Sequence, residues 1–230
     1  MDGRVAVVTG ASAGIGRAIA GAFAHAGAAV AGCARGRRPG SFLDDLESEE
    51  SKRCVHAVCD VRVPADVLRF RDEIEAALGA ADIVVNNAGV VARAAALDLP
   101  LETWADVLAT NLTGAFLVTR AFLAAMKARR HGRIINLASI SGRRGTPLLS
   151  AYCAAKHGVV GLTRALAEEL RGEGIAVNAI CPGSVDTDML RQGMPGAVPD
   201  MPPSDIATTA LFLAGDAPLT LTGACIDVFG

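Results

Sequence analysis

A tyrosine and a lysine in the stretch AYCAAKH (151–157) have the chemistry of an acid–base pair. Tyr152 is the only tyrosine among 230 residues, so a general packing role does not explain it. On a helix, positions i and i+4 project from one face, which places Lys156 beside Tyr152. Because a neighbouring ammonium favours the phenolate, it lowers the pKa of the phenol from its usual value of about 10. The spacing predicts a tyrosine acid–base catalyst, and a tyrosine with its hydroxyl bonded in the interior is the alternative.

A second stretch, VVTGASAGIGRAIAGAFAHAG (7–27), has the composition of a phosphate-binding turn. Thr9 ends an apolar run, and Gly10, Gly14 and Gly16 punctuate the turn before a helix of small residues begins. Glycine permits positive φ and lets the backbone approach a pyrophosphate, which the positive end of the helix then holds. The spacing G-x-x-x-G-x-G differs from the commoner G-x-G-x-x-G, so a tight turn that merely needs glycine is the alternative.

The elements that must position these residues alternate along the chain. Seven short apolar runs are predicted to be strands, at 4–9, 28–33, 54–58, 82–86, 132–138, 175–180 and 225–229. Helical patterns fill the gaps, and no linker or repeat interrupts them. Strands this uniformly apolar are buried on both faces, so the sequence predicts an α/β fold with a doubly wound parallel sheet, as one domain over 1–230.

The composition narrows the choice of partner. Lysine and arginine total 22 against 24 acidic residues, a net charge of −2, so no overall field attracts nucleic acid or a membrane surface. The apolar run VAVV near the N-terminus is too short for a signal peptide or membrane span, so we expect a cytoplasmic protein with a small-molecule partner. Six scattered cysteines are expected to be reduced, and the four histidines have no ligands at metal spacing, so no metal site is predicted.

Six motifs together resemble the short-chain dehydrogenase/reductase family, in that family's order, across nearly the whole chain from Val5 to Val228. They are TGASAGIG, NNAG (86–89), Asn111, Ser139, YCAAK and PGSVDTDM (182–189). Within the family the chain is most similar in appearance to the 3-oxoacyl-[acyl-carrier-protein] reductases. The resemblance implies a Rossmann-type fold and hydride transfer between a nicotinamide cofactor and a carbonyl carbon.

The catalytic roles follow from this chemistry. Ser139 would hydrogen-bond the substrate oxygen while Tyr152 protonates it, and Ser141 is a second candidate serine that the spacing favours less. In the family the lysine also binds the ribose hydroxyls, a role that the resemblance assigns to Lys156. The resemblance further assigns Asn111 to positioning a water in a proton relay.

The resemblance also implies a set of cofactor contacts, with Asp60 on the adenine side. They are Gly10, Ser12, Gly14, Ile15, Gly16, Arg35, Arg37, Asp60, Val61, Asn87, Ala88, Gly89, Tyr152, Lys156, Pro182, Gly183, Val185 and Thr187.

The end of the second predicted strand indicates which cofactor binds. An acidic residue there would bond the ribose 2′-hydroxyl and mark an NAD enzyme, but the position holds Ala34, followed by Arg35, Arg37 and Arg38. The sequence therefore favours NADP, with Arg35 as the main contact. For Arg37 and Arg38 a solvated loop is an equal alternative, and NAD stays possible because Ala13 supplies no basic side chain from the glycine turn.

The substrate lid is expected near 187–203, a short stretch rich in methionine, proline and glycine, with Ser141, Met189 and Met194 lining the pocket. The substrate would be a ketone, with a 3-oxoacyl thioester on a carrier protein or coenzyme A as one candidate. The acidic surface of a carrier protein could meet a basic cluster at Lys127, Arg129, Arg130 and Arg133. The alternatives are an NAD-dependent secondary-alcohol dehydrogenase and a non-catalytic nucleotide-binding sensor or scaffold.

We predict a homo-oligomer, either a dimer or a tetramer. The helical patterns at 105–127 and 153–170 carry more apolar surface than one sheet face needs; the residues that indicate this are Leu112, Phe116, Phe122, Leu123 and Met126. In the family these helices pair across a twofold axis. Light scattering at micromolar concentration measures the mass in solution, and a monomer would contradict this prediction.

Overall fold

The computed structural model describes residues 1–36 and 41–229. Within them the strands are β1 (Val5–Thr9), β2 (Ala29–Ala34), β3 (Cys54–Val58), β4 (Ile83–Asn86), β5 (Gly132–Leu137), β6 (Ile175–Pro182) and β7 (Cys225–Val228). The α-helices are α1 (Gly14–His25), α2 (Ser48–Ser51), α3 (Pro64–Leu78), α4 (Leu101–Leu108), α5 (Gly114–Arg129), α6 (Ser150–Glu169), α7 (Asp188–Gly193) and α8 (Pro203–Ala214). Every predicted strand is present, with each end within two residues of the predicted position.

The central strands are buried on both faces, as their apolar sequences predict. In β1, Ala6 and Val8 pack into one apolar layer, formed with α1 and α8. The alternate residues Val5 and Val7 pack into a second layer, formed with α3, α5 and α6. Because side chains alternate between the two faces, a strand covered by helices on both sides must be apolar at every position.

The strands form one parallel sheet in the order β3-β2-β1-β4-β5-β6-β7. The chain winds outward from β1 in both directions, so β1 lies between β2 and β4. The connections that leave β1 and β4 go to opposite sides of the sheet, which opens a crevice at their carboxyl ends. This confirms the predicted single-domain, doubly wound Rossmann-type fold, and it fixes where a ligand site must lie.

A continuous helix runs from Leu101 to Arg129, through α4, a π-helical segment (Ala109–Thr113) and α5. In the described part of the chain it is the one helix that could cross a membrane by length and composition. Its inner face is nevertheless part of the protein core, because Val118 and Phe122 pack fully buried in the second apolar layer.

The spare apolar face that we predicted for this helix is smaller than expected. Phe122 packs edge-to-face on Phe70 of α3, with ring centroids 6.2 Å apart, and Met126 is fully buried. Both side chains therefore belong to the core, because α3 covers Phe122 and Met126 packs against Gly132 of β5. Phe116 is 42% exposed. The oligomeric state stays a prediction.

Candidate active site

The turn after β1 is fixed by the hydroxyl of Thr9. Its Oγ1 accepts hydrogen bonds from the backbone N–H groups of Asn87 and Ala88, each at 3.0 Å, and donates to the carbonyl of Val85 at 3.3 Å. These bonds join the end of β1 to the loop after β4, on either side of the crevice. In the sequence, Thr9 only marks the end of a strand, and no local pattern indicates this role.

The glycine turn is held against the same loop by Asn87. Its Nδ2 donates to the carbonyls of Thr9 at 2.9 Å and Gly10 at 3.2 Å. Gly10 and Gly14 have φ values of +69° and +52°, which side-chain-bearing residues rarely adopt. At Gly16 the constraint is space, because a Cβ would lie 2.3 Å from both Asn87 Nδ2 and the Gly10 carbonyl oxygen.

The first asparagine of the NNAG motif has a different task from the second. Asn86 Nδ2 donates to Thr119 Oγ1 and to Asn136 Oδ1, both at 2.8 Å, and Asn136 Nδ2 donates to Thr163 Oγ1 at 2.9 Å. This buried row of side chains crosses β4 and β5 and joins α5 to α6. It therefore fixes α6, the helix that carries the tyrosine–lysine pair, relative to the sheet.

Asn111 lies in the π-helical segment (Ala109–Thr113) and is buried. Its Nδ2 donates to the carbonyls of Val90 at 2.8 Å and Val107 at 3.0 Å, and its Oδ1 accepts from the N–H of Val90 at 3.0 Å. A Cβ on Gly89 would lie 2.5 Å from that oxygen. The side chain of Asn111 thus holds the loop after β4 in place, and it makes these contacts behind the wall of the site.

Ser139, Tyr152 and Lys156 meet at the carboxyl end of β5. Ser139 Oγ accepts the N–H of Ser141 at 3.1 Å. It also lies close enough to the hydroxyl of Tyr152 to lower the pKa of the phenol. Lys156 lies one helical turn after Tyr152, with Nζ 5.6 Å from the centre of the tyrosine ring. Nζ donates to the carbonyl of Leu137 at 2.6 Å, which directs the ammonium toward the end of β5.

Burial acts in opposite directions on the two titratable groups. Loss of solvation raises the pKa of Tyr152 to about 12, and Ser139 opposes part of this rise. The direction is opposite to the lowering that we predicted from the neighbouring lysine, because burial of the hydroxyl dominates. Loss of solvation lowers the pKa of Lys156 to about 8. At pH 7 the lysine is therefore still mainly protonated, while the phenol is neutral and available as a proton donor.

A cavity of about 1190 Å³ opens at the carboxyl ends of the strands. Most of the predicted site residues line it: Gly10, Ser12, Gly14, Ile15, Arg35, Val61, Asn87, Ala88, Gly89, Ser139, Ser141, Tyr152, Lys156, Pro182, Gly183, Val185, Thr187, Met189 and Met194. Gly16, Asp60 and Asn111 are not among the lining residues. The volume exceeds the roughly 300–1,000 Å³ of ordinary small-molecule sites, so a large ligand and a substrate fit together.

The predicted lid (187–203) covers one side of the cavity. It begins with α7 and returns to the body of the protein at a β-bridge between Val185 and Met201. Met189 places its sulfur 4.0 Å from the hydroxyl of Tyr152. An unbranched, polarizable side chain therefore lies beside the Tyr152 hydroxyl, and such a side chain adapts its shape to its neighbours.

At the end of β2, Ala34 and the exposed Arg35 line the cavity. The acidic lining residues of the described chain all lie elsewhere, at 186–200. No carboxylate lines the described wall of the cavity beside Arg35. Asp60, behind that wall, lies close enough to Arg35 for the guanidinium to contribute to lowering its pKa. Arg37 and Arg38, which we predicted to add positive charge here, lie outside the described residues.

Asp60 is bound to a neighbouring arginine. Arg62 donates to its carboxylate at 2.6 and 2.9 Å and also forms an ion pair with Asp106. The guanidinium lowers the pKa of the Asp60 carboxyl below its usual value. Cys59 and Val61, on either side, line the cavity instead. A contact of Asp60 with adenine stays a prediction.

The lining residues that the sequence did not predict include two polar ones, Thr110 and Arg144. Thr110 is buried, and its Oγ1 has no hydrogen-bond partner in residues 1–36 and 41–229. Its position next to Asn111 is the only sequence signal for it. Arg144 is exposed on the turn that follows Ser139, where a charged residue ordinarily indicates a solvated loop.

The chain belongs to the short-chain dehydrogenase family of oxidoreductases, since the family model described as short chain dehydrogenase matches residues 4–196. This confirms the resemblance inferred from the motifs.

Its relatives include reductases of 3-oxoacyl groups. The 3-oxoacyl-[acyl-carrier-protein] reductase of Escherichia coli K12 is 36% identical over 239 residues, covering 100% of this chain and 97% of that protein. Ketoacyl reductase 1 of the granaticin polyketide synthase of Streptomyces violaceoruber is 45% identical over 188 residues, covering 80% and 69%. The crystal structure of a variant of the actinorhodin polyketide ketoreductase with NADPH matches with a TM-score of 0.89 and 35% identity, covering 99% and 96%.

Gly16→Ala is expected to lower the free energy of unfolding by about 1–3 kcal/mol, the usual cost of overpacking, because Asn87 and Gly10 are both fixed by hydrogen bonds. Urea denaturation measures the change. The matched control is Gly21→Ala in the same helix, where a Cβ meets nothing within 4 Å. There the higher helix propensity of alanine should raise stability by roughly 0.5–1 kcal/mol. Equal changes in both variants would show that close contact does not determine the glycine at position 16.

Proposed function

We propose that this chain is an NADP(H)-dependent reductase that converts a ketone to a secondary alcohol. The observation that carries the proposal is one cavity that holds both the Ser139, Tyr152 and Lys156 group and a glycine turn at a helix N-terminus. The serine, tyrosine and lysine supply a proton donor and a positive charge beside it, and the glycine turn is suited to binding a dinucleotide. The family membership and the reductases among the relatives support the same reaction class.

The glycine turn fits the pyrophosphate of a dinucleotide. The N-terminus of α1 is preceded by Ala13, which has no capping side chain, and its first turn contains no acidic residue. Its N–H groups and its positive end therefore remain available to an anion from outside the chain. Gly10 and Gly14, both with positive φ, line the cavity without side chains that would block a phosphate.

NADP is the cofactor that the second strand favours. Ala34 cannot repel a 2′-phosphate, and the exposed guanidinium of Arg35 can bind one. The NADPH complex of a ketoreductase 35% identical to this chain supports this choice. Tyr152 and Lys156 would contact the nicotinamide ribose. NAD is the alternative.

In the proposed reaction, the chain's own groups act on the carbonyl oxygen. When bound, the reduced nicotinamide supplies the hydride that the carbonyl carbon accepts. Ser139 Oγ donates a hydrogen bond to the carbonyl oxygen, and Tyr152 transfers its hydroxyl proton to that oxygen. The phenolate left behind is stabilised by Ser139 and by the ammonium of Lys156, which the Leu137 carbonyl holds on the same side of the helix.

Asn111 acts in this proposal as a positioning residue. Its amide is bound to Val90 and Val107, so it fixes the loop that borders the substrate end of the cavity. Its part in a water relay stays a prediction.

The substrate class that we propose is a 3-oxoacyl compound, carried as a thioester. The E. coli and Streptomyces relatives are named as reductases of such groups, and the lid presents the adaptable side chains of Met189 and Met194. An NAD-dependent secondary-alcohol dehydrogenase is the second candidate. A sensor or scaffold is disfavoured, because the serine, tyrosine and lysine are all present and line one cavity. A panel of ketones, 3-oxoacyl thioesters and secondary alcohols, followed by nicotinamide absorbance, distinguishes these functions.

The basic cluster offers less to a carrier protein than its sequence indicates. Its members are Lys127, Arg129, Arg130 and Arg133. Arg129 forms an ion pair with Asp82 at 2.7 Å, and Arg130 is 3.6 Å from Glu173. Arg133 is buried and donates to a backbone carbonyl. Two of the four charges are therefore paired with carboxylates and a third is buried, so carrier-protein docking at this cluster is weakly supported.

Assembly and location remain predictions. The exposed Phe116 is consistent with a helix that pairs between subunits of a dimer or tetramer. A cytoplasmic location is expected from the sequence.

Tyr152→Phe is expected to lower kcat by roughly 100-fold or more, because it removes the proton donor and little else. Cofactor binding and folding should stay near those of the parent. Ser139→Ala should also lower kcat, whereas its matched control Ser141→Ala should lower it less, because Ser141 Oγ is bound to Thr146 at 2.8 Å. Steady-state kinetics with the best ketone measures all three variants. A Phe variant that turns over at close to the parent rate would contradict the assignment of the acid.

The Ala34→Asp, Arg35→Ala double variant is expected to lose the preference for NADPH over NADH. A charge-assisted contact contributes roughly 1.5–3 kcal/mol, equivalent to about 10- to 150-fold in affinity. The parent should lie in the lower half of this range, because Ala13 adds no second cation, and salt should weaken its preference.

Binding titrations with both cofactors measure the preference. The control is Arg71→Ala, which removes an arginine paired with Asp72 on α3 and should leave the preference unchanged. Equal binding of NADPH and NADH by the parent would show that this strand end does not select the cofactor.

A further inference from the structure

Basic side chains on the cavity wall differ in whether the protein neutralises them. Among the described lining residues they are Arg35, Arg144, Lys156 and Arg191. Arg191 forms ion pairs with Asp186 at 2.6 Å and Asp188 at 3.0 Å. Lys156 and Arg35 have the roles proposed above. Arg144 differs from these three. No acidic group of the described chain pairs with it, and the proposed reaction gives it no role.

The backbone beneath Arg144 is firmly held. A 3-10 turn (Ile140–Gly142) follows Ser139, and the N–H of Arg144 donates to the carbonyl of Ile140 at 3.0 Å. Ser141 Oγ lies 2.8 Å from Thr146 Oγ1, and the N–H of Thr146 donates to a cysteine sulfur on α6 at 3.3 Å. The turn is thus fixed to both the catalytic serine and the catalytic helix.

The side chain of Arg144, in contrast, is exposed and has no hydrogen-bond or ion-pair partner within residues 1–36 and 41–229. Its neighbour Arg143 is paired, with Nε 3.1 Å from a carboxylate oxygen of Asp227. The two adjacent arginines therefore differ in their availability to a ligand. The charge of Arg143 is paired with Asp227, and that of Arg144 is not paired within the described chain.

The acidic groups of the cavity do not compensate Arg144. Asp186 and Asp188 form ion pairs with Arg191. The carboxylate of Asp200 lies near Gly183, with Oδ2 3.8 Å from the position of a Cβ there, and it forms no ion pair with Arg144. An unpaired guanidinium on the wall of the cavity that also holds Ser139 and Tyr152 favours a substrate that brings its own anion. Its planar array of donors matches a phosphate or a carboxylate with two parallel hydrogen bonds.

We infer that Arg144 binds a phosphate or carboxylate of the substrate whose carbonyl lies at Ser139 and Tyr152, and so selects anionic ketones over neutral ketones of similar shape. This inference rests on the proposed function, because it requires a ketone at that position. A phosphopantetheine thioester and a keto acid both have the required chemistry, and they place the anion at different distances from the carbonyl.

Two matched substrate pairs test the inference. The first is S-acetoacetyl phosphopantetheine with S-acetoacetyl pantetheine, and the second is 4-oxopentanoate with its methyl ester. Arg144→Met should lower kcat/KM for the anionic member of one pair by about 10- to 100-fold, mainly through KM, and change its neutral partner by less than about 3-fold. The pair that responds identifies the anion as phosphate or carboxylate.

The control is Arg143→Met, which removes a charge already paired with Asp227 and should leave the ratio of anionic to neutral kcat/KM unchanged. If Arg144→Met leaves the ratio of both pairs unchanged, the inference is wrong while the proposed function stands. An equal effect of the two arginine variants would also overturn the inference, because the overall positive charge of this region, and not a contact with Arg144, would then explain the preference for anions.

A binding measurement separates failure of the inference from failure of the proposed function. Calorimetric titration of the same four compounds into the Tyr152→Phe protein measures affinity without turnover. Weaker binding of an anionic member to the Tyr152→Phe, Arg144→Met protein, by about 10- to 100-fold, supports the anion site even if the parent reduces none of these ketones. Affinities that do not depend on Arg144 contradict it.

Discussion

The junction between the carboxyl ends of β1 and β4 is the constraint on which the rest of the site depends. Thr9 Oγ1 accepts two backbone N–H groups from the loop after β4, and Asn87 Nδ2 donates to two carbonyls of the glycine turn. Because each group bonds to backbone, the two loops lie at a fixed and very short separation. Gly16 faces that contact with no room for a Cβ, so the glycine turn and the asparagine loop are one structural unit. The cavity lies against this unit, at the carboxyl ends of β1 and β4.

A second network positions the chemistry relative to that junction. The row from Thr119 through Asn86 and Asn136 to Thr163 joins α5, the sheet and α6 through buried hydrogen bonds. Loss of any of these hydrogen bonds would leave a buried amide donor unpaired at a cost in free energy, so the row favours one placement of α6. That placement brings Tyr152 to Ser139. Burial then keeps the phenol neutral, while the lysine retains its proton at neutral pH.

The strands and the catalytic pair were predictable because their signals are local. Strands buried on both faces must be apolar at every position, and residues four apart on a helix must share a face. The two asparagines of NNAG show where local reasoning ends. They are adjacent in sequence, but alternate side chains of a strand point to opposite faces, so Asn86 enters the core row and Asn87 reaches the glycine turn. Only the neighbours on each face decide these roles.

The sequence by itself determined the order of strands and helices, the glycine turn, the tyrosine–lysine spacing and the absence of an acid at Ala34, because each depends on residue type and short-range geometry. The tertiary structure decided which side chains have partners. Phe122 and Met126 are core residues because α3 and the sheet cover them, and Asp60 is bound by Arg62. Arg143 is neutralised by Asp227, 84 residues away, whereas Arg144 beside it is not paired within the described chain. Burial and ion pairing between distant segments have no local pattern, since they arise only when the sheet brings those segments together.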